Sequence, residues 1–190
     1  MCNEHQNRIP QSAYFDTFRQ LNIPLTWAEG AQSNLEPKDS IRIKDPGPII
    51  RWAGDHAELK VLPWSWNAPN GRPVFNFRSD GRSFASSDRC LIPSDGFFEF
   101  TTPEDPKQKK KDRWRFTFKD EPWFWIAGLV RDGAWAMLTT EPGPDVAPYH
   151  DRQIVLLRRD QADEWLNLRR PERELLAPLP AGTLHVEKVA

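Results

Sequence analysis

The chain is poor in cysteine, with Cys2 and Cys90 alone, and has only two tyrosines. Two thiols are too few for the disulfide framework of a small secreted domain, and a Cys2–Cys90 bridge is not expected. No apolar run approaches the roughly eighteen residues of a membrane span. The N-terminal stretch also lacks the apolar core of a secretory signal. The expected setting is therefore soluble and cytoplasmic, where thiols stay reduced. An excess of one charge is missing too, since 26 basic residues stand against 27 acidic ones. Net charge thus gives no support to a nucleic-acid partner, although a local basic patch remains compatible with it. The four histidines show no zinc-site spacing and no Cys-x-x-Cys occurs, so neither a metal nor another cofactor is expected. No glycine-rich phosphate loop, Gly-x-Ser-x-Gly elbow or internal repeat is present.

Aromatic residues and prolines are abundant, with nine Trp, eleven Phe and eighteen Pro. At 190 residues the chain suits one domain with a real core, taken as residues 1–190. Ser12 to Leu21 reads as a short helix capped by Ser12, with Tyr14, Phe15, Phe18 and Leu21 on one face. Ile41 to Trp52 reads as extended, broken at Pro46 to Pro48, and Gly54 to Arg72 as turn-rich. Strands are expected over 73–79, over two runs within 89–100, and over 113–119, where Trp114, Phe116 and Phe118 alternate. Residues 123–130 and 134–140 flank Arg131-Asp132-Gly133, a hairpin turn. Further expectations are a strand over 153–159, a helix capped by Asp160 running to Leu168, and a last strand over 184–189. Thr102 to Asp112 is a charged loop whose Lys107 to Lys111 run reads as solvated. Short, closely spaced strands with marginal helices predict an α+β, β-rich fold with a mixed or antiparallel, barrel-like sheet.

Several residues suggest chemistry. Once Met1 is removed, Cys2 carries both a thiol and an α-amine, with ordinary pKa values of about 8.5 and 8. That pair suits an aldehyde: the amine forms a Schiff base and the thiol closes a thiazolidine. By position alone Cys2 also reads as part of a frayed terminus. Asn76 and Arg78 share one face of a strand and suit a carbonyl and a phosphate, or ordinary loop hydrogen bonds. Glu99, set between Phe98 and Phe100, is a general acid–base if it points inward and a solvated carboxylate if it points outward. His150 is a proton shuttle if it lies near Cys2 and a structural loop histidine otherwise. Arg51, Arg72, Arg78, Arg82 and Arg89, spread among Trp52, Trp64 and Trp66, suit a single-stranded nucleic-acid groove, though tryptophans belong mostly to cores.

In combination and order the motifs resemble the SOS-response-associated peptidase (SRAP) family, the abasic-site processing proteins. The matching pieces are Met1-Cys2-Asn3, Arg51-Trp52 with Pro63-Trp64, Asn-Phe-Arg-Ser-Asp at 76–80, and Arg-Cys-Leu-Ile-Pro-Ser-Asp-Gly-Phe-Phe-Glu-Phe at 89–100. Ile-Ala-Gly-Leu-Val at 126–130, Thr-Thr-Glu-Pro-Gly-Pro-Asp at 139–145 and Tyr-His-Asp-Arg-Gln-Ile-Val-Leu-Leu at 149–157 follow. The resemblance implies an SRAP fold, self-removal of Met1 and covalent capture of abasic sites in single-stranded DNA. It implies catalytic roles for Cys2, Asn76, Glu99 and His150, and DNA contacts at Arg78, Arg51, Trp52 and Trp64. It also implies peptidase- and lyase-type steps, a monomer, and association with the nucleoid when DNA is bound. Asn3 and Glu4 depart from the usual Met-Cys-Gly-Arg opening, and Glu4 would repel a phosphate. Other departures are Phe77 and Asp80, Phe100 after Glu99, an insertion between Arg51-Trp52 and Pro63-Trp64, and Gln153-Ile154 after Arg152. Two other classes stay open: an N-terminal-nucleophile peptidase or amidohydrolase, and a non-catalytic module binding single-stranded nucleic acid.

Overall fold

Alternation along the Trp- and Phe-rich strands decides the architecture. The computed structural model describes residues 1–28 and 34–190. In chain order the elements are β1 (Glu4–Asn7), α1 (Gln11–Gln20), β2 (Leu25–Trp27), β3 (Lys38–Arg42), β4 (Pro46–Trp52) and β5 (Ala57–Pro63). Next come β6 (Trp66–Asn67), β7 (Pro73–Val74), β8 (Asn76–Arg78), β9 (Arg89–Ser94), β10 (Gly96–Thr101) and β11 (Asp112–Phe118). The chain ends with β12 (Phe124–Arg131), β13 (Ala134–Thr140), β14 (Gln153–Ile154), β15 (Leu156–Leu157), a 3₁₀ turn at Arg159–Gln161, α2 (Ala162–Leu166), α3 (Glu172–Leu175) and β16 (Leu184–Lys188).

One sheet has the order β16-β11-β10-β1-β3, and a larger one β14-β13-β12-β9-β4-β5-β2 with β15 also on β12 and β8 also on β13. Pairing is antiparallel except for β8 on β13 and β2 on β5. The β-rich, mixed fold with marginal helices is as expected, but among the described residues neither large sheet closes into a barrel. The two sheets are instead layers. Along β12 and β13, Ile126, Trp135 and Met137 face the smaller sheet, and meet Ile41, Phe97 and Phe116 from it. The alternate residues Trp125, Ala127, Ala136 and Leu138 face α1 and α2, packing with Tyr14, Phe18 and Trp165. A sheet covered on both faces explains why these strands are apolar almost throughout. Tyr14 and Phe18, one helical turn apart and fully buried, contribute about 1.5–3 kcal/mol each by burial.

Several expectations shift. Ser12 lies within α1, whose N-cap is Pro10, without a side-chain cap. Asp160 falls in the 3₁₀ turn; Gln161 precedes α2, which stops at Leu166. Pro46 and Pro48 do not break the chain but begin β4. There β4 pairs with β5 alone, and pairing with β9 begins at Ile50, so the missing proline N–H groups face no partner strand. The hairpin turn stands as expected: Asp132 and Gly133 both adopt positive φ, 51° and 73°, which suits a two-residue turn between twisted strands.

Candidate active site

Cys2 reaches the interior because β1 is a polar strand in which every side chain has a polar partner, although His5 Nε2 has none among the described residues. Glu4, His5, Gln6 and Asn7 are all buried. Glu4 accepts from Ser40 Oγ at 2.7 Å and Arg113 Nη2 at 2.9 Å. His5 Nδ1 lies 3.4 Å from Ser94 Oγ. Gln6 donates to the Asp95 carbonyl at 3.2 Å, and Asn7 donates to Tyr14 Oη at 2.8 Å. Held this way between β10 and β3, the strand delivers Cys2 to the core between the sheets, 1% exposed. Its thiol donates to the Glu4 carbonyl at 3.3 Å. Burial, and then the nearby Glu99 carboxylate, pushes the thiol pKa up, so the resting group is a thiol rather than a thiolate. Cys2 is therefore not part of a frayed end.

Three distant segments meet it. Asn76, the first residue of β8, donates from Nδ2 to the Cys2 carbonyl at 2.7 Å, while its buried Oδ1 has no partner among the described residues. Glu99 lies in mid-β10 opposite Trp114 and is 2% exposed. Alternation turns it inward. Its Oε2 is 3.7 Å from the Met1 ammonium, and its Oε1 is buried without a hydrogen-bond partner among the described residues. Burial raises its pKa to about 7; the Met1 ammonium restrains that rise and Asp151 adds to it. His150 Nε2 hydrogen-bonds the Met1 amine. Burial first, then the Met1 charge, lowers the His150 pKa, while Asp151 opposes that shift. His150 Nδ1 lies 2.9 Å from Asp151 Oδ1 and 3.0 Å from the Arg152 N–H. The four residues expected to act together do share one place, and the α-amine of residue 1 lies among them.

Two neighbours were not singled out from sequence. Asp151 faces the imidazole, and its position next to His150 was the available signal. Arg152 is buried and donates to Asp80 at 2.6 Å, and to the Thr139 carbonyl and hydroxyl at 3.0 and 3.1 Å. That guanidinium links the His150 loop to the chain just beyond β8 and holds the Asp80 carboxyl below its ordinary pKa. Arg152 stands within the 149–157 motif, but nothing local marked this linking role, because its partners are far apart in the chain.

The expected DNA contacts divide. Arg78 is exposed on the same face of β8 as Asn76, with no ion pair among the described residues. Trp64 is corrected: it is 0% exposed, stacks on Trp135 at 5.1 Å and donates from Nε1 to the Phe75 carbonyl at 2.9 Å. A ring so enclosed offers no face to a base. Arg51 is committed to Asp88 at 2.7 Å and Glu58 at 3.5 Å. Trp52 packs beside the helix-covered core and donates to the Gly54 carbonyl at 2.8 Å. Glu4, expected to repel phosphate, is instead enclosed by Arg113, Ser40 and, at 3.7 Å, Arg42. Among the described residues no cluster of His, Cys, Asp and Glu is arranged to hold a metal ion, and Cys2 and Cys90 are both free.

Fold and site together define a β-rich protein that buries the thiol of Cys2 beside an amide, a carboxylate and an imidazole, with the amine of residue 1 at the exposed mouth of the cluster. The chain belongs to the SOS response associated peptidase (SRAP) family, whose model matches residues 1–190. It is 28% identical to the abasic site processing protein YoaM of Bacillus subtilis, over 94% of this chain and 88% of that one. It is 29% identical to the abasic site processing protein YoqW of Bacillus phage SPbeta, over 94% of this chain and 89% of that one. A crystal structure of a protein from Bacteroides thetaiotaomicron shares the fold with a TM-score of 0.73 at 20% identity, covering 100% of this chain and 92% of that one. A second, from Bordetella bronchiseptica, does so with a TM-score of 0.69 at 23% identity, covering both chains fully.

Proposed function

We propose that this protein captures abasic sites in single-stranded DNA covalently through Cys2, after hydrolytic removal of Met1. The observation that carries the reading is the convergence of the exposed N-terminal amine and the half-buried Asn76 and His150 on the buried Cys2 and Glu99. With Met1 present, the nitrogen of Cys2 is an amide and cannot form an imine. Hydrolysis of the Met1–Cys2 bond transfers the free amine to Cys2, next to its thiol. That amine adds to the aldehyde of the ring-opened deoxyribose, and loss of water gives an imine. The thiol then adds to the imine carbon, its proton passes to the imine nitrogen, and a thiazolidine results. The net change is aldehyde plus aminothiol giving thiazolidine plus water.

The surrounding groups suit these steps. A carboxyl with a pKa of about 7 gives and takes protons near neutral pH, as ring opening and dehydration require. His150, hydrogen-bonded to the amine of Met1, is placed to take a proton from the adjoining nitrogen of Cys2 once Met1 has left. Asn76 fixes the Cys2 carbonyl and so the direction of the nucleophile. Arg78 is free to hold a phosphate beside the lesion.

Denaturing electrophoresis with single-stranded abasic DNA, together with intact mass measurement, tests the reading. Wild-type protein should lose Met1 and give a heat-stable adduct. Cys2→Ala should give none, and Cys2→Ser at most a labile imine. A stable adduct with Cys2→Ala, or none with Met1-free wild type, would sink the proposal. Turnover of an exogenous amide by the Met1-free form would favour an N-terminal-nucleophile peptidase instead.

A further inference from the structure

Most arginines whose side chains were described above have carboxylate partners, as Arg42, Arg51, Arg113 and Arg152 do. Four others near β8 do not. Arg72, Arg78, Arg82 and Arg131 are exposed and make no ion pair among the described residues. Two of them lie on aromatic rings that touch each other. The Arg82 guanidinium is 4.8 Å from the centre of the Phe77 ring and that of Arg131 is 5.3 Å from the Trp66 ring. Trp66 and Phe77 are 6.4 Å apart, which makes a continuous ladder Arg82–Phe77–Trp66–Arg131.

The ladder's position follows from β8. That strand runs parallel to β13, and residues 76 and 78 face the Cys2 side while Phe77 faces the other. After Ser79 the chain turns at Gly81, with φ at 65°, and the Arg82 N–H closes the turn onto the Ser79 carbonyl at 3.1 Å. The turn carries Arg82 back over Phe77. A chain reaching Asn76 and Arg78 on one face meets the ladder on the other by crossing β8. Stacking on a ring holds a guanidinium flat with its N–H edges outward, a geometry suited to phosphate oxygens.

We propose that this ladder is a second nucleic-acid contact, taking phosphates of the single strand where it leaves the Cys2 site across β8. The proposal rests on the single-strand reading above. Its chemistry differs from base recognition: the rings are covered by arginines, so the ladder offers charge and no stacking platform, and the contact is insensitive to sequence.

The test uses undamaged oligothymidylate, which has no aldehyde, so its outcome is independent of Cys2 chemistry. Anisotropy titrations over a range of salt would compare a short oligonucleotide that covers only the Cys2 site with a longer one. For Arg82→Gln/Arg131→Gln, binding of the long strand should weaken and its salt slope should fall by about 1.4, the share of two phosphates on a single strand. Binding of the short strand should be unchanged. The Arg82→Lys/Arg131→Lys protein keeps both charges and should retain the wild-type slope, which separates charge from any change in folding. Unaltered binding of the long strand by the Gln protein, an equal loss on both lengths, or full competition by polyglutamate would each overturn the proposal. Failure to form a Cys2 adduct would remove the reading of the site and leave this measurement standing.

Discussion

Glu4 and Glu99 lie on neighbouring strands of one sheet, are 3% and 2% exposed, and are treated in opposite ways. Glu4 is on the outer face, beside an open cleft of about 850 Å³, and is matched by Ser40, Arg113 and Arg42. Glu99 is on the inner face, where one oxygen lacks a partner among the described residues and the other lies 3.7 Å from the N-terminal ammonium. A buried carboxylate with partners holds strands together; one without them keeps its proton to near neutrality and is available for chemistry. Burial is common to both, so the surrounding partners set the two carboxylates apart.

The largest expected effect is at Glu99. Glu99→Gln should slow adduct formation by about 100-fold or more, the usual contribution of a positioned acid–base group. Circular dichroism should show the fold intact; a rate within threefold of wild type would erase the distinction between the two carboxylates. The same variant sharpens it through pH. The folded pKa of Glu99, about 7, lies above its ordinary 4.5, so the folded state holds the extra proton between those values. Its contribution is therefore complete below pH 4.5 and lost as pH rises through 7. At 1.36 kcal/mol per pH unit the change is roughly 3 kcal/mol. Glu99→Gln should match wild type in acid and exceed it in melting temperature above neutrality.

Glu4→Gln should act the other way. It removes the anion from Arg113 and Arg42 and should cost about 1–3 kcal/mol in urea unfolding, with the adduct rate per folded molecule unchanged. A slowed rate at full folding would show that the outer face also serves the chemistry. The smallest effect near neutrality concerns His5, which is fully buried between Trp64 and Trp135 and whose Nε2 has no partner among the described residues. Burial lowers its pKa from 6.5 to about 3, so the unfolded chain binds the extra proton between those values and stability falls as pH drops from 6.5. His5→Phe should flatten that acid limb, by about 1 kcal/mol near pH 5.5. An unchanged limb would mean that other groups govern acid unfolding.

The same contrast governs what was legible in the sequence. Apolar alternation made β11 readable, near-continuous apolar runs made β12 and β13 readable, and Asp132-Gly133 marked the hairpin between those two. β1 was not legible, because Glu-His-Gln-Asn has no hydrophobic pattern and its burial depends on Ser40, Ser94, Arg113 and Tyr14. β5 was hidden within a turn-rich stretch, since Ala57 and Leu59 alone are its fully buried apolar residues. In the site, Cys2, Asn76, Glu99 and His150 were nameable from motifs. The enclosure of Trp64 was not, because a tryptophan in a core and one in a groove look alike in one dimension.

The Glu4 cluster has a consequence for the history of the family. A chain that opens Met-Cys-Gly-Arg would set a fourth-position arginine against Arg113 and Arg42, three like charges around one buried spot. The three positions should therefore covary: homologues with arginine at the fourth position should lack at least one of the other two, and a charge change at one should be followed by reversal or loss at its neighbours.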